Sequence, residues 1–365
     1  MNKQKIVVSG INMVEGGIFT ILHNVLQELS EYIQNKNIEV IALVHDASKF
    51  NFPTIQFIEF PKAKSSWFLR LYYEYYFFKK LSEKIQPDIW FSLHDTSPIV
   101  VAKKQFTYCH HPTTFFKPTW NDWKFDYKIG VFSLVYDYIF KFNIRSNHTV
   151  FVQQHWIKDI FQKRFKIDNV KVAIPEFVED FSTEKIDLDS NKIHFFYPSF
   201  PKSFKNIEYI FEAIQLLPES IKSQCEFHIT GLKNNNSKYV SYLNTKYLNS
   251  NVNRLELLDK NTMLKYYNSI DYLIFPSKIE TWGLPISETK AHHNNMLLAN
   301  LPYAKETCGN YEKVSFFDIE NPGDLAQMII EIVEQKHVFH GNKIEINYKE
   351  ELHSWKELFD YMIGD

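Results

Sequence analysis

Glycine is scarce in this chain, 10 in 365 residues, so each is expected to mark a backbone position that other residues resist. Cysteine is scarcer still. Cys109, Cys225 and Cys308 lie far apart and are odd in number, which excludes a disulfide framework and points to a reducing compartment. Charge of either sign is not in excess: the formal net charge is -2, so no nucleic-acid partner is expected from the overall field. No apolar run approaches transmembrane length, and the opening Met-Asn-Lys-Gln-Lys-Ile-Val-Val lacks a signal peptide's apolar core. A cytoplasmic protein is expected. No internal repeat or low-complexity linker is found. What is abundant is aromatic, with 32 Phe and 21 Tyr in a chain that is 45% hydrophobic. The length suits two domains of about 150–200 residues each.

The chain is organised around Phe275–Glu288, Phe-Pro-Ser-Lys-Ile-Glu-Thr-Trp-Gly-Leu-Pro-Ile-Ser-Glu. The run Ile270-Asp-Tyr-Leu-Ile-Phe275 predicts a buried strand, which Pro276 stops. A turn with Gly283, then Pro285 at a first helical turn, predicts a helix with Glu288 just inside it. Glu280 and Glu288 thus flank a helix N-terminus at the carboxyl end of a buried strand, where open α/β sheets bind ligands. The helix end favours an anion. The carboxylates would repel that anion, so they should face its hydroxyl-rich parts. A nucleoside-diphosphate sugar is phosphate in the middle and polyol at both ends, and it meets both demands.

Earlier in the chain, Lys5–Ser9 predicts a strand, and Ile18, Leu22, Val25, Leu26 and Leu29 a helix, with Gly16 and Gly17 in the loop between. The dinucleotide fingerprint Gly-x-Gly-x-x-Gly is absent. Strands are expected over Ile38–Val44 and Thr54–Phe60. Ser65–Ile85 reads as a helix with a wide aromatic face and interspersed Arg70, Lys79, Lys80 and Lys84. Such a helix suits either a membrane surface or packing on the sheet, and packing is the expectation. His110 and His111 follow the strand Gln105–Cys109, before Pro112. Neighbouring strand residues point to opposite faces, so one histidine enters a site. A third metal ligand at suitable spacing does not follow. Thr149–Val152 is expected to be the last strand of the first domain, and the polar stretch Val178–Lys192 the linker. Asp187 and Asp189 in it read as solvated charge. The second domain opens with the strand Lys192–Tyr197 and a loop to Lys205-Asn206, which enters an amphipathic helix. A lysine there opposes the helix dipole unless an anion binds.

The Glu-x7-Glu spacing, with Gly-Leu-Pro inside and Phe-Pro-Ser before it, resembles the donor-site signature of retaining glycosyltransferases of the GT-B fold, in particular glycosyltransferase family 4 (glycosyl transferases group 1). The resemblance implies an α/β protein with two Rossmann-like domains facing across a cleft. It implies an acceptor-side domain over 1–180, a donor domain over 190–345 and a C-terminal helix, 346–365, returning to the first domain. Glu280 would bind the donor sugar, Glu288 the ribose, and the amides around Trp282, Gly283 and Leu284 the sugar and distal phosphate. Lys205 would hold the diphosphate, His110 would reach the sugar, and Gly16 and Gly17 would admit phosphates or acceptor. The family's arginine after the strand at Tyr197 is replaced here by Pro198-Ser199, and Lys202 is the expected substitute. The implied reaction transfers a sugar from a nucleoside-diphosphate sugar to a hydroxyl on a glycan or lipid-linked glycan, with retention, no metal and no cofactor. Bacterial lipopolysaccharide, capsule or exopolysaccharide synthesis is the implied setting, with peripheral contact at the inner face of the membrane as an accompanying expectation. The alternatives are a non-catalytic nucleotide-sugar-binding protein, or another GT-B enzyme such as a phosphorylase or epimerase.

Overall fold

A computed structural model describes residues 3–111, 115–175, 183–248, 251–344 and 351–364. The chain forms two compact units. One is Met1–His111, Val135–Glu176 and Asn347–Asp365, and the other Pro112–Leu134 and Phe177–Ile346. The segment up to Leu134 was expected in the first domain but groups with the second. Phe125 packs on Tyr239 and Tyr242 with ring centroids 5.5 and 4.7 Å apart, and Asp126 pairs with Lys202. The expected linker begins outside the described residues, and 183–192 runs on without helix or strand.

The first unit holds β1 (Gln4–Ser9), β2 (Ile38–Val44), β3 (Ile55–Glu59), β4 (Ile89–Ser92), β5 (Lys104–Cys109), β6 (Thr149–Val152) and β7 (Val170–Val172). They form one parallel sheet in the order β3-β2-β1-β4-β5-β6-β7. β7 was not expected from the sequence, because Val-Lys-Val is too short to show a period. The helices in this half are α1 (Gly16–Tyr32), α2 (Trp67–Tyr72), α3 (Phe78–Ile85), α4 (Trp120–Phe125), α5 (Tyr127–Lys141) and α6 (His155–Phe165). A π-helical turn, Tyr73–Phe77, joins α2 to α3. α4 and the start of α5 belong to the second unit.

Strands buried on both faces read as continuous apolar runs, and each face of this sheet has its own core. Ile6, Val8 and Phe91 pack with Val25, Leu26 and Leu29 of α1 and with Trp355, Leu358, Phe359 and Met362 of a last helix, α14 (Trp355–Ile363). Tyr32 donates its hydroxyl to Asp360 at 2.7 Å. On the opposite face Val7 and Trp90 pack with Phe78. Arg70, one of the cations interspersed along this helix, is buried. Its Nε donates to Glu74 Oε1 at 2.8 Å and its Nη2 to the His94 carbonyl at 2.7 Å. Phe68 and Tyr72, expected as packing, are exposed, as is Tyr76.

The second unit holds β8 (Ile193–Tyr197), β9 (Cys225–Ile229), β10 (Val252–Arg254), β11 (Tyr272–Phe275), β12 (Asn295–Ala299) and β13 (Val314–Phe317). These six strands are parallel, in the order β10-β9-β8-β11-β12-β13. Between them run α7 (Ile207–Leu216), α8 (Glu219–Lys222), α9 (Lys238–Lys246), α10 (Lys260–Tyr267), α11 (Leu284–Ala291) and α12 (Pro302–Cys308), with α13 (Pro322–Val333) after β13. Two parallel-sheet α/β units are therefore present, as expected.

Candidate functional site

Strand order in the second sheet reverses between β8 and β11, and a parallel sheet opens a crevice at the carboxyl ends of such a pair. The loops leaving those two strands carry Lys205 and Glu280. Lys205 ends a 3-10 turn, Ser203–Lys205, that leads into α7. Its Nζ lies 2.5 Å from Glu280 Oε1, with both side chains mostly covered. Expected on separate parts of one ligand, the two charges meet each other.

Hydrogen bonds lace the loops together. The Lys278 N–H donates to the Phe204 carbonyl at 2.8 Å. The Tyr197 hydroxyl donates to the Lys205 carbonyl at 2.8 Å and stands 3.0 Å from Ser277 Oγ. Tyr303 donates to the Ser277 carbonyl at 2.6 Å. Within this tied structure Ser203 Oγ and Asn206 Nδ2 are buried and have no hydrogen-bond partner among the described residues. Unsatisfied buried polar atoms are costly and concentrate where a ligand supplies the missing partner.

Gly283 caps α11 with φ at 90°, a conformation that suits glycine, and a Cβ there would stand 3.2 Å from Ile286 Cδ1. Leu284 and Pro285 begin the helix. Trp282 donates its indole N–H to Ser287 Oγ at 3.0 Å, and its carbonyl accepts the Thr307 hydroxyl. Glu288 sits one turn into α11 and accepts the Tyr267 hydroxyl at 2.5 Å. Burial pushes its carboxyl above the usual carboxylate range, against the pull of that hydrogen bond.

Lys202 Nζ lies 3.2 Å from Asp126 and remains partly exposed. Lys278 is better covered, with Nζ 3.8 Å from Glu208 Oε1. Glu208 also accepts the Tyr239 hydroxyl, and burial raises its carboxyl. Sequence reading gave no role to Lys278, Glu208, Tyr197 or Tyr267. Only Lys278 carried a signal, two positions before Glu280 in the same loop.

In the first unit the order reverses between β1 and β4. Gly16 and Gly17 are the first residues of α1 rather than part of the loop before it. Gly16 needs its glycine, at φ 68°, whereas a Cβ on Gly17 would meet nothing within 4 Å. No side chain caps this helix end, so its first amides face outward with the positive end of the dipole. His110 follows β5. Its backbone N–H donates to Asp95 Oδ1 at 2.5 Å, and that of His111 donates to the same oxygen at 2.9 Å. Asp95, itself at φ 72°, is the organiser that sequence reading passed over. The His110 ring lies 4.5 Å from that of Tyr108, centre to centre, and Nδ1 is 3.3 Å from Gln153 Nε2. Burial pushes the imidazole down to about 4, against the attraction of Asp95, so it is neutral at pH 7. His111 stacks on Tyr136 at 4.6 Å.

The chain is similar over 137 residues, at 28% identity, to the capsular polysaccharide biosynthesis glycosyltransferase CapH of Staphylococcus aureus, covering 36% of this chain and 37% of that protein. The match thus spans just over a third of the curated relative's length. Among solved structures, WaaG, a glycosyltransferase involved in lipopolysaccharide biosynthesis, superposes with TM-score 0.67 at 13% identity over 99% of this chain and 100% of its own. Anabaena Alr3699/HepE, solved in complex with UDP and glucose, superposes with TM-score 0.60 at 13% identity over 91% of each chain. Residues 178–350 match the family described as glycosyl transferases group 1. The chain therefore has the GT-B fold and carries a glycosyl transferases group 1 domain in its second half.

Proposed function

We propose that this protein is a retaining, metal-independent glycosyltransferase of family 4, moving a sugar from a nucleoside-diphosphate sugar to a hydroxyl of a glycan or lipid-linked glycan. The observation that carries the reading is the Lys205–Glu280 pair at the carboxyl ends of β8 and β11, beside the unsatisfied Ser203 and Asn206. On donor binding Lys205 exchanges its carboxylate for the diphosphate, and Glu280 is released to accept hydrogen bonds from sugar hydroxyls. The bond between the anomeric carbon and the diphosphate oxygen breaks, the acceptor oxygen bonds to that carbon, and the acceptor proton passes to the leaving phosphate. Lys205, Lys278 and Lys202, with the amides at Trp282, Gly283 and Leu284, stabilise the departing negative charge, where preorganised groups act most strongly. Glu288 takes the ribose diol in place of Tyr267. Within the first unit, Gly16 and Gly17 would offer amides and neutral His110 an uncharged ring to a sugar or phosphate ligand. The nucleotide sugar is a co-substrate, and no cofactor is invoked.

The setting we propose is bacterial surface-glycan synthesis, from the cytoplasmic side, with peripheral contact at the membrane. α5 supports the contact. Tyr127, Val131, Leu134, Val135 and Tyr138, with Phe142 just beyond, are exposed on one face, opposite buried Ile129, Tyr136 and Phe140. Lys128 and Lys141 flank that stripe. An aromatic and aliphatic face edged by lysines suits an anionic bilayer surface. No helix among the described residues is long and apolar enough to cross a membrane.

Thermal shift across a panel of nucleotide sugars tests the reading, since a ligand bound only by the folded chain raises its melting temperature. One donor is expected to stabilise the protein and to be consumed when an acceptor is added, and Glu280→Gln is expected to lower transfer by about 10²–10³. If no nucleotide sugar binds or turns over, the reading falls.

A further inference from the structure

At the amino-terminal end of the second sheet, opposite the loops that follow β8 and β11, two histidines and a glutamate converge. Glu226 and His228 are two apart on β9 and so share a face. The parallel register sets His194 against Glu226, and Phe196 against His228. His194 Nδ1 is 3.1 Å from His228 Nε2, and Glu226 Oε2 lies 3.7 and 3.9 Å from those two nitrogens. These separations define a point about 2.1 Å from all three atoms, the length of a Zn–N or Zn–O bond.

The surroundings suit an ion. His194 Nε2 lies 2.9 Å from the Asp189 carbonyl. A proton there turns the Nδ1 lone pair toward the cluster, the outer bond that metal-binding histidines make. The Asn253 amide lies 3.4 Å from His228 Nδ1 and 3.3 Å from Glu226 Oε2. Turned over, its oxygen accepts from Nδ1–H and its bond to Glu226 Oε2 is given up, which frees both Nε2 and Oε2 for a metal. Lys192 holds the other carboxylate oxygen, Oε1, at 2.8 Å, which leaves Oε2 to the cluster. A groove of about 640 Å³ lined by His194, Lys192, Asp187 and Asp271 opens alongside, wide enough to admit an ion and a water. Without an ion, His228 Nε2–H donates to His194 Nδ1, so the pair is satisfied by that bond when empty and by the metal when filled.

We propose that His194, Glu226 and His228 bind one divalent transition metal, zinc by chemistry, with water as the fourth ligand. Two imidazoles and a carboxylate form a donor set suited to zinc. The ion ties β8 to β9 and, through the Asp189 carbonyl, to the segment entering the second unit. It lies apart from the loops assigned to sugar transfer.

The test uses the full chain, stripped with a chelator and titrated first with Co²⁺, whose visible spectrum reports tetrahedral ligation, and then with Zn²⁺. One Co²⁺ per chain, displaced by one Zn²⁺, is expected, together with a higher melting temperature. His194→Gln, His228→Gln and Glu226→Gln should each weaken binding by about tenfold or more. Lys192→Gln, which removes a competing positive charge, should strengthen it. If the histidine variants fail to fold, Glu226→Gln and Lys192→Gln, at the more exposed positions, decide the matter. Absence of stoichiometric metal in the wild type, or affinity unchanged in these two variants, overturns the proposal.

Discussion

Lys205 Nζ and Glu280 Oε1 stand 2.5 Å apart across the gap between the β8 and β11 loops, so each is the other's counter-charge until a ligand takes both. Lys205→Ala and Glu280→Gln should each lower kcat/KM for transfer by about 10²–10³. Because the two side chains act on each other, the double variant should lose little more than the worse single one. Strictly multiplicative losses in steady-state assays would show that the pair does not work as a unit.

Lys278 and Lys202 are two cations near Lys205, Lys278 through the backbone and Lys202 in sequence, candidates for the place of the arginine that the resemblance leads one to expect after β8. Lys278 is tied by its own backbone to the Lys205 turn, whereas Lys202 is half-exposed and engaged with Asp126. Lys278→Ala should weaken donor binding by about tenfold, the size of one charge-assisted hydrogen bond. Lys202→Ala should have a clearly smaller effect, and calorimetric titration with the donor distinguishes the two orders.

Acid should loosen the first unit through His110. Burial holds its folded pKa at about 4, below the ordinary 6.5, so on acidification the unfolded chain takes up its proton first. Stability is then lost as pH falls through that window, by about 3 kcal/mol from this group. His110→Gln should flatten the decline between pH 7 and pH 4.5 in urea melts. An unchanged decline would mean that other groups set it.

Arg70 and Glu74 form a buried pair beside His94. Burial alone would raise the Glu74 carboxyl, but Arg70 and His94 hold it down to about 2. Arg70→Met leaves that carboxylate without its main partner and should cost about 3–5 kcal/mol. Adding Glu74→Leu should recover much of the loss in the same denaturation experiment. A double variant as unstable as the single one would contradict this account.

The exposed stripe on α5 gives a fifth handle. Leu134→Glu with Tyr138→Glu should abolish sedimentation with vesicles containing anionic lipid while leaving transfer to a soluble acceptor intact. Binding that survives the double change would remove α5 from the membrane reading.

Much of this was legible in the residues because local chemistry and tertiary structure agree. Ile270–Phe275, Pro276, Gly283 and Pro285 each act within a few positions, so a strand, a turn and a helix start could be placed from them. Lys205 and Glu280 were identifiable, but their mutual contact was not, since it depends on β8 and β11 lying side by side. The same distance in sequence hid Asp95, whose carboxylate organises His110 only after β4 and β5 pair. Arg70 was read only as one of the cations along its helix, because nothing in the sequence marks the buried carboxylate one turn away as its partner. The three-residue strand β7 and the grouping of α4 with Tyr239 and Tyr242 rest on long-range packing that leaves no periodic trace.

The pairing of α14 with α1 bears on how the molecule is made. Tyr32 and Asp360, partners in a 2.7 Å hydrogen bond, are 328 positions apart, and the apolar side of α1 finishes its burial only against Trp355, Leu358 and Phe359. During synthesis the earliest-made half must therefore wait with an uncovered greasy flank while the later half folds, a state open to aggregation and to chaperone capture. Ribosomes stalled before α14 emerges should hold a nascent chain whose second unit resists protease and whose first does not.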